Sequence, residues 1–559
     1  MDFNYRDTSF KNQLFDLFND NFAQYFAYSH SKLDQIRAWQ FPNPDPSKQL
    51  LLCVIFAYSC AYDNRYAKAA KLLLNEADAM VLATYRNNMN EHVLHALLIR
   101  SCYEVGRGHD SNSWYYNAMV CSQAQYLGLH LREGTRQGDL PASTSSTTST
   151  PNVLVNTSPS NIALFWAIFF QDRSITTVLG RSCLIPYFRM TVPFYTSRLN
   201  LRLCGNDPNL LDSYMTEITF SLHSELWYSH DRITQQIYSA KADFLHKSHR
   251  LLLLRQGLST LQTLHSSFPD EIKLKRNTSD KRVLLLHLSY YTVLTLLHRS
   301  YLVQNPKRIL ELIMNHCDSA SKLTKQFSEL HGFENAPYFS GYLLFQCAMF
   351  DLFLLALNDP SMHESAHIRF SIFITALSEY SKSWRRGIKD LRVLTSLAKK
   401  WKLGVSILEE INSMTSKGGN ASTPTSQSPD ESVQSENEGS GLSPYQKIFE
   451  ETMNIYFGRA NTVDSDVHWL NQTFGTSAAT GTATNAAAAP ATSHNPAGSD
   501  AVLGNIGCGN IGPCHTGVSG PSGSLGTNTA SYVSMTPVPT PDIDYAFNVL
   551  NCSHFDFSN

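Results

Sequence analysis

The amino-acid sequence predicts an all-α fold, in which a multi-helix domain is followed by a disordered C-terminal tail. Apolar residues recur at helical spacing throughout residues 1–415, and no run alternates long enough to predict a strand. From Ser416 onward Ser, Gly, Thr and Ala become dominant, and such a composition cannot bury enough apolar surface to offset the entropy of folding. We therefore expect the folded unit to end near residue 415.

The first helices are predicted from apolar periodicity. Apolar side chains repeat along residues 10–28, and residues 48–62 are so nearly apolar that their helix should be buried on most sides. Helices over residues 66–85 and 91–106 follow. The Gly-Arg-Gly sequence at 106–108 is interpreted as a helix end, because no strand or phosphate-loop pattern accompanies it.

Two helices with buried faces, at 113–130 and 159–181, flank a Ser/Thr-rich insertion at 135–158. We expect the insertion to be a flexible surface loop. Ser158 is placed to cap the second helix, Pro159 suits its first turn, and Gly180 is a natural stop, as Gly128 is for the first helix. The predicted face of the first helix is Trp114, Ala118, Cys121 and Gln125. The predicted face of the second is Ile162, Phe165, Trp166, Phe169 and Phe170.

The rest of the folded unit is also predicted to be helical. A long helical stretch over residues 212–255 is expected to break near Ser229. Further helices are predicted at 281–303, 306–331, 338–357, 363–384 and 392–411. The most apolar of them, 338–357, contains Gln346 and Asp351, which favour a buried helix over a membrane span.

Composition limits the classes of partner and compartment. A formal net charge of -2 over 559 residues gives no global basic field for nucleic acid. The N-terminus lacks the charged-then-apolar profile of a signal peptide, and the eleven cysteines are scattered, which favours reduced thiols in a nuclear or cytosolic compartment.

The search for chemistry-bearing motifs assigns no catalytic, cofactor-binding or metal residue. The sequence has no CxxC pair, GxSxG elbow, HExxH helix or Walker loop. Cys53 and Cys60 lie in an apolar helix and are interpreted as core thiols. Cys508 and Cys514 have only His515 beside them, which is too few ligands for zinc.

Two stretches of the sequence do resemble a known family. "SWYYNAMVCSQAQYLGLHLRE" from Ser113 and "FWAIFFQDRSITTVLGRSCLIPYFRMTVP" from Phe165 resemble the signature of the fungal-specific transcription factor domain, the middle homology region of fungal zinc-cluster regulators. The family usually has basic residues where this chain has 161–164, and a Pro where it has Ser300. The residues that match, with a structural or regulatory role, are Trp114, Gly128, Leu129, His130, Trp166, Asp172, Arg173, Gly180, Arg181, Pro193, His298 and Arg299.

The resemblance implies a fungal regulator of metabolic genes that acts in the nucleus and could shuttle to the cytoplasm. It implies that the protein is not an enzyme. It implies contact with the transcription machinery or co-regulators, a small-molecule effector and a homodimer as candidate partners, and no membrane. Zinc and direct DNA binding are implied only for a zinc-cluster module, which this sequence lacks and which would have to lie upstream or in a partner. The alternatives are a co-regulator recruited by a DNA-bound protein and an all-α enzyme. Asp172 and Arg173 are expected to form a hydrogen-bonded helix end, with Arg181 nearby.

The C-terminal part divides into a linker at 416–444, a candidate short helix at 445–458 and a low-complexity tail at 459–559. Within the tail, residues 540–559 set acidic residues among aromatic and aliphatic ones, which is typical of amphipathic activation segments. The alternative is a frayed terminus with chance aromatics. The candidate activation residues are Asp542, Asp544, Tyr545, Phe547, Leu550, Phe555 and Phe557.

Overall fold

The computed structural model describes residues 8–87, 89–132, 158–195, 201–237, 247–299, 301, 306–357 and 359–418. Most of the insertion predicted at 135–158 and everything predicted beyond residue 418 therefore lie outside the described residues. These include the linker, the helix at 445–458, Cys508 and Cys514, and the candidate activation segment.

The described residues form α-helices and short 3-10 turns, and no strand occurs among them, so the all-α prediction is confirmed. The first group is α1 (Thr8–Asn21), α2 (His30–Arg37), α3 (Pro46–Ser59), α4 (Ala67–Asn87), α5 (Glu91–Arg107), α6 (Asp110–Tyr126), α7 (Pro159–Leu179) and α8 (Leu201–Cys204). The second is α9 (Pro208–Ile237), α10 (Lys247–Ser266), α11 (Lys281–Arg299), α12 (Pro306–His331), α13 (Ser340–Ala356), α14 (Pro360–Ser381), α15 (Arg386–Lys400) and α16 (Val405–Gly418).

Local capping chemistry sets several helix ends. Asn90 begins α5 by accepting hydrogen bonds from the backbone N–H groups of His92 and Val93. Gly108 and Gly180 end α5 and α7 in the left-handed conformation, with φ of 84° and 62°, as the sequence predicts. Ser158 precedes α7 as predicted, but its side chain makes no capping hydrogen bond.

Two predicted boundaries are wrong. Ser229 lies inside the continuous helix α9 and does not mark a break, because the helix is supported on both sides of that residue by buried apolar contacts. The predicted helix over 392–411 is two helices, α15 and α16. They are separated at residues 401–404, where Lys402 takes a left-handed φ of 55°.

The buried face of α6 is also rotated from the prediction. Trp114, Ala118 and Gln125 are only half-buried, whereas the fully buried side chains belong to a neighbouring stripe. That stripe consists of Ser113, Asn117, Val120, Cys121 and Ala124. The aromatic Trp114 biased the sequence-based assignment, although a polar residue, Asn117, is the one that the core requires.

Helix α7 lies at the centre of the first half of the fold and packs against α5, α6 and α9. Every side chain from Ala163 to Thr176 is buried. It is also the one described helix that is long and apolar enough to cross a membrane, and 83% of that apolar stretch is buried within the protein. In the second half, α13 is similarly buried and packs against α11, α12, α14 and α15.

Trp384 joins the two halves of the fold. Its indole N–H donates to the carbonyl of Ala336 over 3.0 Å, and its ring contacts Tyr58 and Tyr62. A Cβ on Gly106 would stand 2.3 Å from the Trp384 ring, so only glycine fits at that point of α5.

Candidate functional site

Three consecutive polar side chains interrupt the apolar helix α7 at its centre. Gln171, Asp172 and Arg173 are each at most 1% exposed. Because successive helical residues point about 100° apart, the three side chains leave the helix in three directions. Each must find its hydrogen-bond partners on a different neighbour, since an unpaired buried polar group is costly.

Asp172 ties α7 to α6 and to the segment that follows α7. Its carboxylate accepts a hydrogen bond from the Asn117 side-chain amide over 2.9 Å. It also accepts from the backbone N–H groups of Leu184 at 3.0 Å and Ile185 at 3.1 Å. Arg173 adds an ion pair at 2.8 Å, so every one of these contacts is a donor to a carboxylate.

Arg173 ties α7 to α9. Its guanidinium donates to the Asp231 carboxylate of α9 over 2.7 Å and to the carbonyl of Ile185 over 2.5 Å. The same guanidinium lies 3.7 Å from the centre of the Phe169 ring, a cation–π contact. Asp231 in turn accepts from the Gln235 side chain. One positive charge therefore stands between two carboxylates of different helices.

Burial and charge oppose each other in this network. Burial raises the pKa of Asp172, while the Arg173 charge and the donors from Asn117, Ile185 and Leu184 lower it. Burial is the larger effect, so the pKa of Asp172 lies above its ordinary value, although every group on the carboxylate is a donor that stabilises its ionised form. Burial lowers the pKa of Arg173, but the neighbouring Cys183, Asp172 and Asp231 raise it further, so the guanidinium stays charged. We call Asn117, Asp172, Arg173 and Asp231 the ionic core.

The segment after α7 closes over the ionic core and returns to the end of α6. The carbonyl of His130 accepts from the backbone N–H groups of Thr191 at 3.0 Å and Val192 at 3.2 Å. The indole N–H of Trp166 donates to the carbonyl of Pro193 over 2.8 Å. Residues 191–193 of this segment are thus fixed both to the chain just after α6 and to α7.

This arrangement brings most of the signature residues into one structural unit. Gly128 has a left-handed φ of 73°, which turns the chain after α6 and places Leu129, 0% exposed, in the core. Trp114 is half-buried at the edge of the unit, and Arg181 is exposed just after the Gly180 turn.

His298 and Arg299 lie elsewhere, at the end of α11. Arg299 donates to the Gln346 side chain of α13 over 3.0 Å, and His298 Nδ1 is bonded to the carbonyl of Leu294 over 2.8 Å. A second buried ion pair lies beyond Gln346 along α13, where Asp351 accepts from Arg369 of α14 over 2.6 Å. Burial raises the pKa of Asp351 to about 7, against the opposing charge of Arg369.

Sequence reasoning expected Asp172 and Arg173 at a hydrogen-bonded helix end, and this is wrong. Both lie in the middle of α7, six or more residues before its last residue, Leu179. The partners Asn117 and Asp231 were not singled out. The one signal in the sequence for Asn117 is that it is a polar residue at a helical position whose neighbours on the same face are buried. No local signal indicates Asp231.

The ionic core holds its charges in fixed pairs and offers no reactive group. Burial raises the pKa of the adjacent Cys183 thiol to about 12, so the thiol is protonated and a poor nucleophile. Among the described residues, no group of three or more His, Cys, Asp or Glu is arranged to hold a metal ion. The geometry is suited to joining helices rigidly.

Two adjoining cavities lie beside α9, and one of them also reaches α7. One of about 410 Å³ is bounded by the turn after α1 and the start of α11, and its wall includes Asp20, Asp212, Asp280, Lys281 and Arg282. The other, of about 270 Å³, reaches Ala163 of α7 and Phe220 of α9. Residues that line both cavities are Gln24, Tyr28 and Thr216.

The fold and the site define an all-α protein in which buried ion pairs hold the helices in fixed relative positions. The family model for the fungal specific transcription factor domain matches residues 12–295, just over half of the chain. The chain therefore belongs to the fungal-specific transcription factor domain family, as the two signature stretches predicted. No curated protein and no solved structure matches the chain.

Family membership supports the coarser predictions of function. It indicates a fungal transcription regulator, a non-enzymatic role, a nuclear site of action, and interaction with DNA or with the transcription machinery. The matched residues include α7, α9 and the whole of the ionic core.

Replacing Arg173 with Leu should destabilise the protein strongly. The change leaves Asp172 and Asp231 buried without their shared counter-ion, which costs about 3–5 kcal/mol of the free energy of unfolding. Urea unfolding followed by circular dichroism measures the loss. The exposed Arg181→Leu variant, from the same signature, should change the free energy of unfolding by less than about 0.5 kcal/mol. Equal effects of the two substitutions would contradict the role assigned to the ionic core.

Lowering the pH from 7 toward 5 should destabilise the fold. Burial lowers the pKa of the histidines in the core, for example His298 and His95 to about 4 and His223 to about 3. Such a histidine is neutral when folded but becomes protonated when unfolded below about pH 6.5, so stability is present above that pH and is lost as pH falls toward 4. The raised pKa values of Asp351, to about 7, and of Asp390, to about 6, act in the opposite direction. Among the described residues, however, burial lowers the pKa of more histidines than it raises the pKa of carboxyl groups.

The His298→Leu variant tests this pH dependence at one site. Removal of one buried base should reduce the slope of the free energy of unfolding by about 1.1 kcal/mol per pH unit between pH 6 and 5. Urea midpoints at several pH values measure the slope. The exposed His363→Leu variant is the control and should leave the slope unchanged. An unaltered slope in His298→Leu would show that His298 is not held neutral.

Proposed function

We propose that the protein regulates transcription of metabolic genes, that a small polar metabolite binds in the two adjoining cavities, and that residues 540–559 activate transcription. The position of the cavities is the observation that supports an effector site there. Both cavities lie against α9, and the smaller one also lies against α7, the helix that the Arg173–Asp231 ion pair joins to α9. A ligand bound there would lie next to the helices that contain the family's signature residues.

Helix α9 supplies a rigid connection between the cavities and the ionic core. Thr216 lines both cavities, and Asp231 lies fifteen residues further along the same continuous helix, or about 22 Å. A ligand that shifts the start of α9 would therefore alter the distance between Asp231 and Arg173. We propose that α9 moves between two positions, one of which the ligand favours.

The cavity lining favours a polar effector of metabolite size. Volumes of about 410 and 270 Å³ suit a small molecule. Arg282 is held by Asp280 and Asp212, and it donates to Thr216 over 2.8 Å, so the wall is charged and ordered. The Tyr28 hydroxyl has no hydrogen-bond partner among the described residues.

A larger cavity of about 710 Å³ lies between the end of α13 and the start of α16. Its lining runs from Leu355 to Ile407 and falls wholly outside the segment that the family model matches. The pair of cavities beside α9 is therefore the better candidate for a regulatory site of this domain.

Two routes to DNA follow from the proposal. The chain acts either with a zinc-cluster module or as a co-regulator brought to DNA by a partner. The transcript ahead of Met1 distinguishes these routes. Six suitably spaced cysteine codons in frame would supply the module, and a start at Met1 would leave recruitment by a partner.

A metabolite that binds the cavities should raise the melting temperature of the full chain. At a concentration of about 100 times its Kd the ligand adds about 2.7 kcal/mol to the free energy of unfolding, or roughly 2–4 °C for a domain of this size. Thermal unfolding with a panel of polar pathway metabolites measures the shift.

The matched variants locate the site. Thr216→Phe fills the wall common to both cavities and should abolish the shift, whereas Asn209→Phe, at the exposed start of the same helix, should retain it. A native helical circular dichroism spectrum confirms that each variant is folded. If no metabolite shifts the wild-type melting temperature, or if Thr216→Phe keeps the shift, the cavities are not the effector site.

Aromatic residues of the tail should be required for activation. With the full chain fused to a heterologous DNA-binding domain, replacing Phe547, Phe555 and Phe557 with Ala should lower reporter expression roughly tenfold, because aromatic contacts dominate such interactions. Replacing Trp469, Phe474 and Tyr532 with Ala, three aromatic residues of the same tail outside 540–559, should have little effect. Equal activity of the two triple variants, at equal protein levels, would reject residues 540–559 as the activating segment.

A further inference from the structure

Charge is strongly segregated along this chain, although its net value is close to zero. The residues after Gly418 include twelve acidic and only two basic side chains. The preceding residues therefore carry 43 basic and 35 acidic side chains of the total of 45 and 47. The helical part therefore has a net positive charge, and the tail that follows it in the same chain has a net negative charge.

One face of α15 is rich in basic residues. The side of α15 that faces the core consists of Gly387, Asp390, Leu391, Leu394, Leu397 and Ala398. The opposite side carries exposed basic residues at intervals of seven, which is the spacing of one helical face. We define the α15 basic face as Arg385, Arg392, Lys399, Lys400 and the adjoining Lys402, all of which are exposed.

Most of these charges are not neutralised within the described part of the chain. Lys389 lies in the same stripe but is paired with Asp110 at 2.6 Å, and Arg386 is paired with Asp110 and Asp390. The ion pairs found between described residues include none that involves Arg385, Arg392, Lys399 or Lys402. The face extends over about 21 Å from Arg385 to Lys399.

The end of the helical part lies close to this face. Ser378, near the end of α14, donates to the carbonyl of Met414 in α16 over 2.9 Å. Since α14 leads directly into α15, the last turn of α16 lies near the first turn of α15. The described chain therefore ends near the start of α15, which Arg385 immediately precedes.

The first acidic residues after that point are Asp430, Glu431, Glu436 and Glu438. They follow Gly418 by twelve to twenty residues, and twelve residues span up to about 40 Å when extended. An extended segment from 430 to 438 is up to about 26 Å long, which matches the length of the α15 basic face.

We propose that residues 430–438 of the same chain dock on the α15 basic face and hold the start of the acidic tail against the helical domain. The tether makes the contact intramolecular, with an effective concentration in the millimolar range for a short flexible connection. Exposed ion pairs are individually weak, so the contact is salt-sensitive and reversible. A stronger polyanion, such as DNA, competes for the same face.

Zero-length cross-linking of the full chain tests the contact. A carbodiimide joins carboxylates to amines that already touch, and peptide mass spectrometry identifies the pairs. We expect links from residues 430–438 to Lys399, Lys400 and Lys402 at low salt, and their loss in about 0.5 M salt, where the Debye length falls below about 5 Å. In a mixture of ¹⁴N- and ¹⁵N-labelled protein these links should join peptides of the same isotope.

Several outcomes would overturn the proposal. Links from residues 542–556 to the face would assign another occupant, and mixed-isotope links would make the face an interface between copies. Absence of any link to Lys399, Lys400 or Lys402 would also reject it. The Asp464→Asn, Asp466→Asn variant is the control for the tail's charge and should leave the pattern unchanged.

Competition with heparin provides a second measurement. Replacing Asp430 with Asn and Glu431, Glu436 and Glu438 with Gln should uncover the face and tighten heparin binding by the full chain roughly fivefold. Arg392→Gln, Lys399→Gln and Lys402→Gln, all exposed and therefore compatible with folding, should remove that gain when combined with the acidic substitutions. If neutralising residues 430–438 leaves heparin affinity unchanged, the segment does not occupy the face.

Discussion

The ion pair between Arg173 and Asp231 is the constraint on which the first half of the fold depends. A guanidinium 1% exposed is stable only if its counter-ions are in place, and here they come from its own helix and from α9. Asp172 in turn needs Asn117 of α6 and the backbone of residues 184 and 185. None of these elements can be displaced without exposing a buried charge, so α6, α7 and α9 must assemble together.

Gln171 connects α7 to other parts of the molecule by hydrogen bonds. Its amide donates to the carbonyl of Tyr25 over 2.8 Å, and its oxygen accepts from the Tyr338 hydroxyl just before α13. One turn of α7 therefore makes polar contacts with the N-terminal segment, α6, α9 and the approach to α13. Apolar packing allows small sliding between helices, whereas these directional bonds fix their relative positions.

The sequence predicts the existence of helices far better than it predicts how they meet. Helix α12 begins and ends where periodicity places it, because its apolar stripe and Pro306 are local signals. Asp231 lies 58 residues from Arg173 along the chain, so no window of periodicity relates them. Sequence alone predicts a helix end at a charged pair within an apolar run, because a buried charge requires a partner and that partner is distant in the sequence. The rotation of α6 has the same cause, because Asn117 is buried for the sake of Asp172.

Net charge is misleading for a related reason. A value of -2 describes neither the helical part nor the tail, because the two carry opposite signs and cancel only in the sum. Composition excluded a global basic field, but it carried no information on where lysine and arginine would lie once α15 had buried its apolar side. The fold converts a short basic run, which looks like a solvated stretch in sequence, into a continuous face. The helical part and the tail are therefore oppositely charged parts of one chain, and the proposed contact of residues 430–438 with the α15 basic face follows from this segregation of charge.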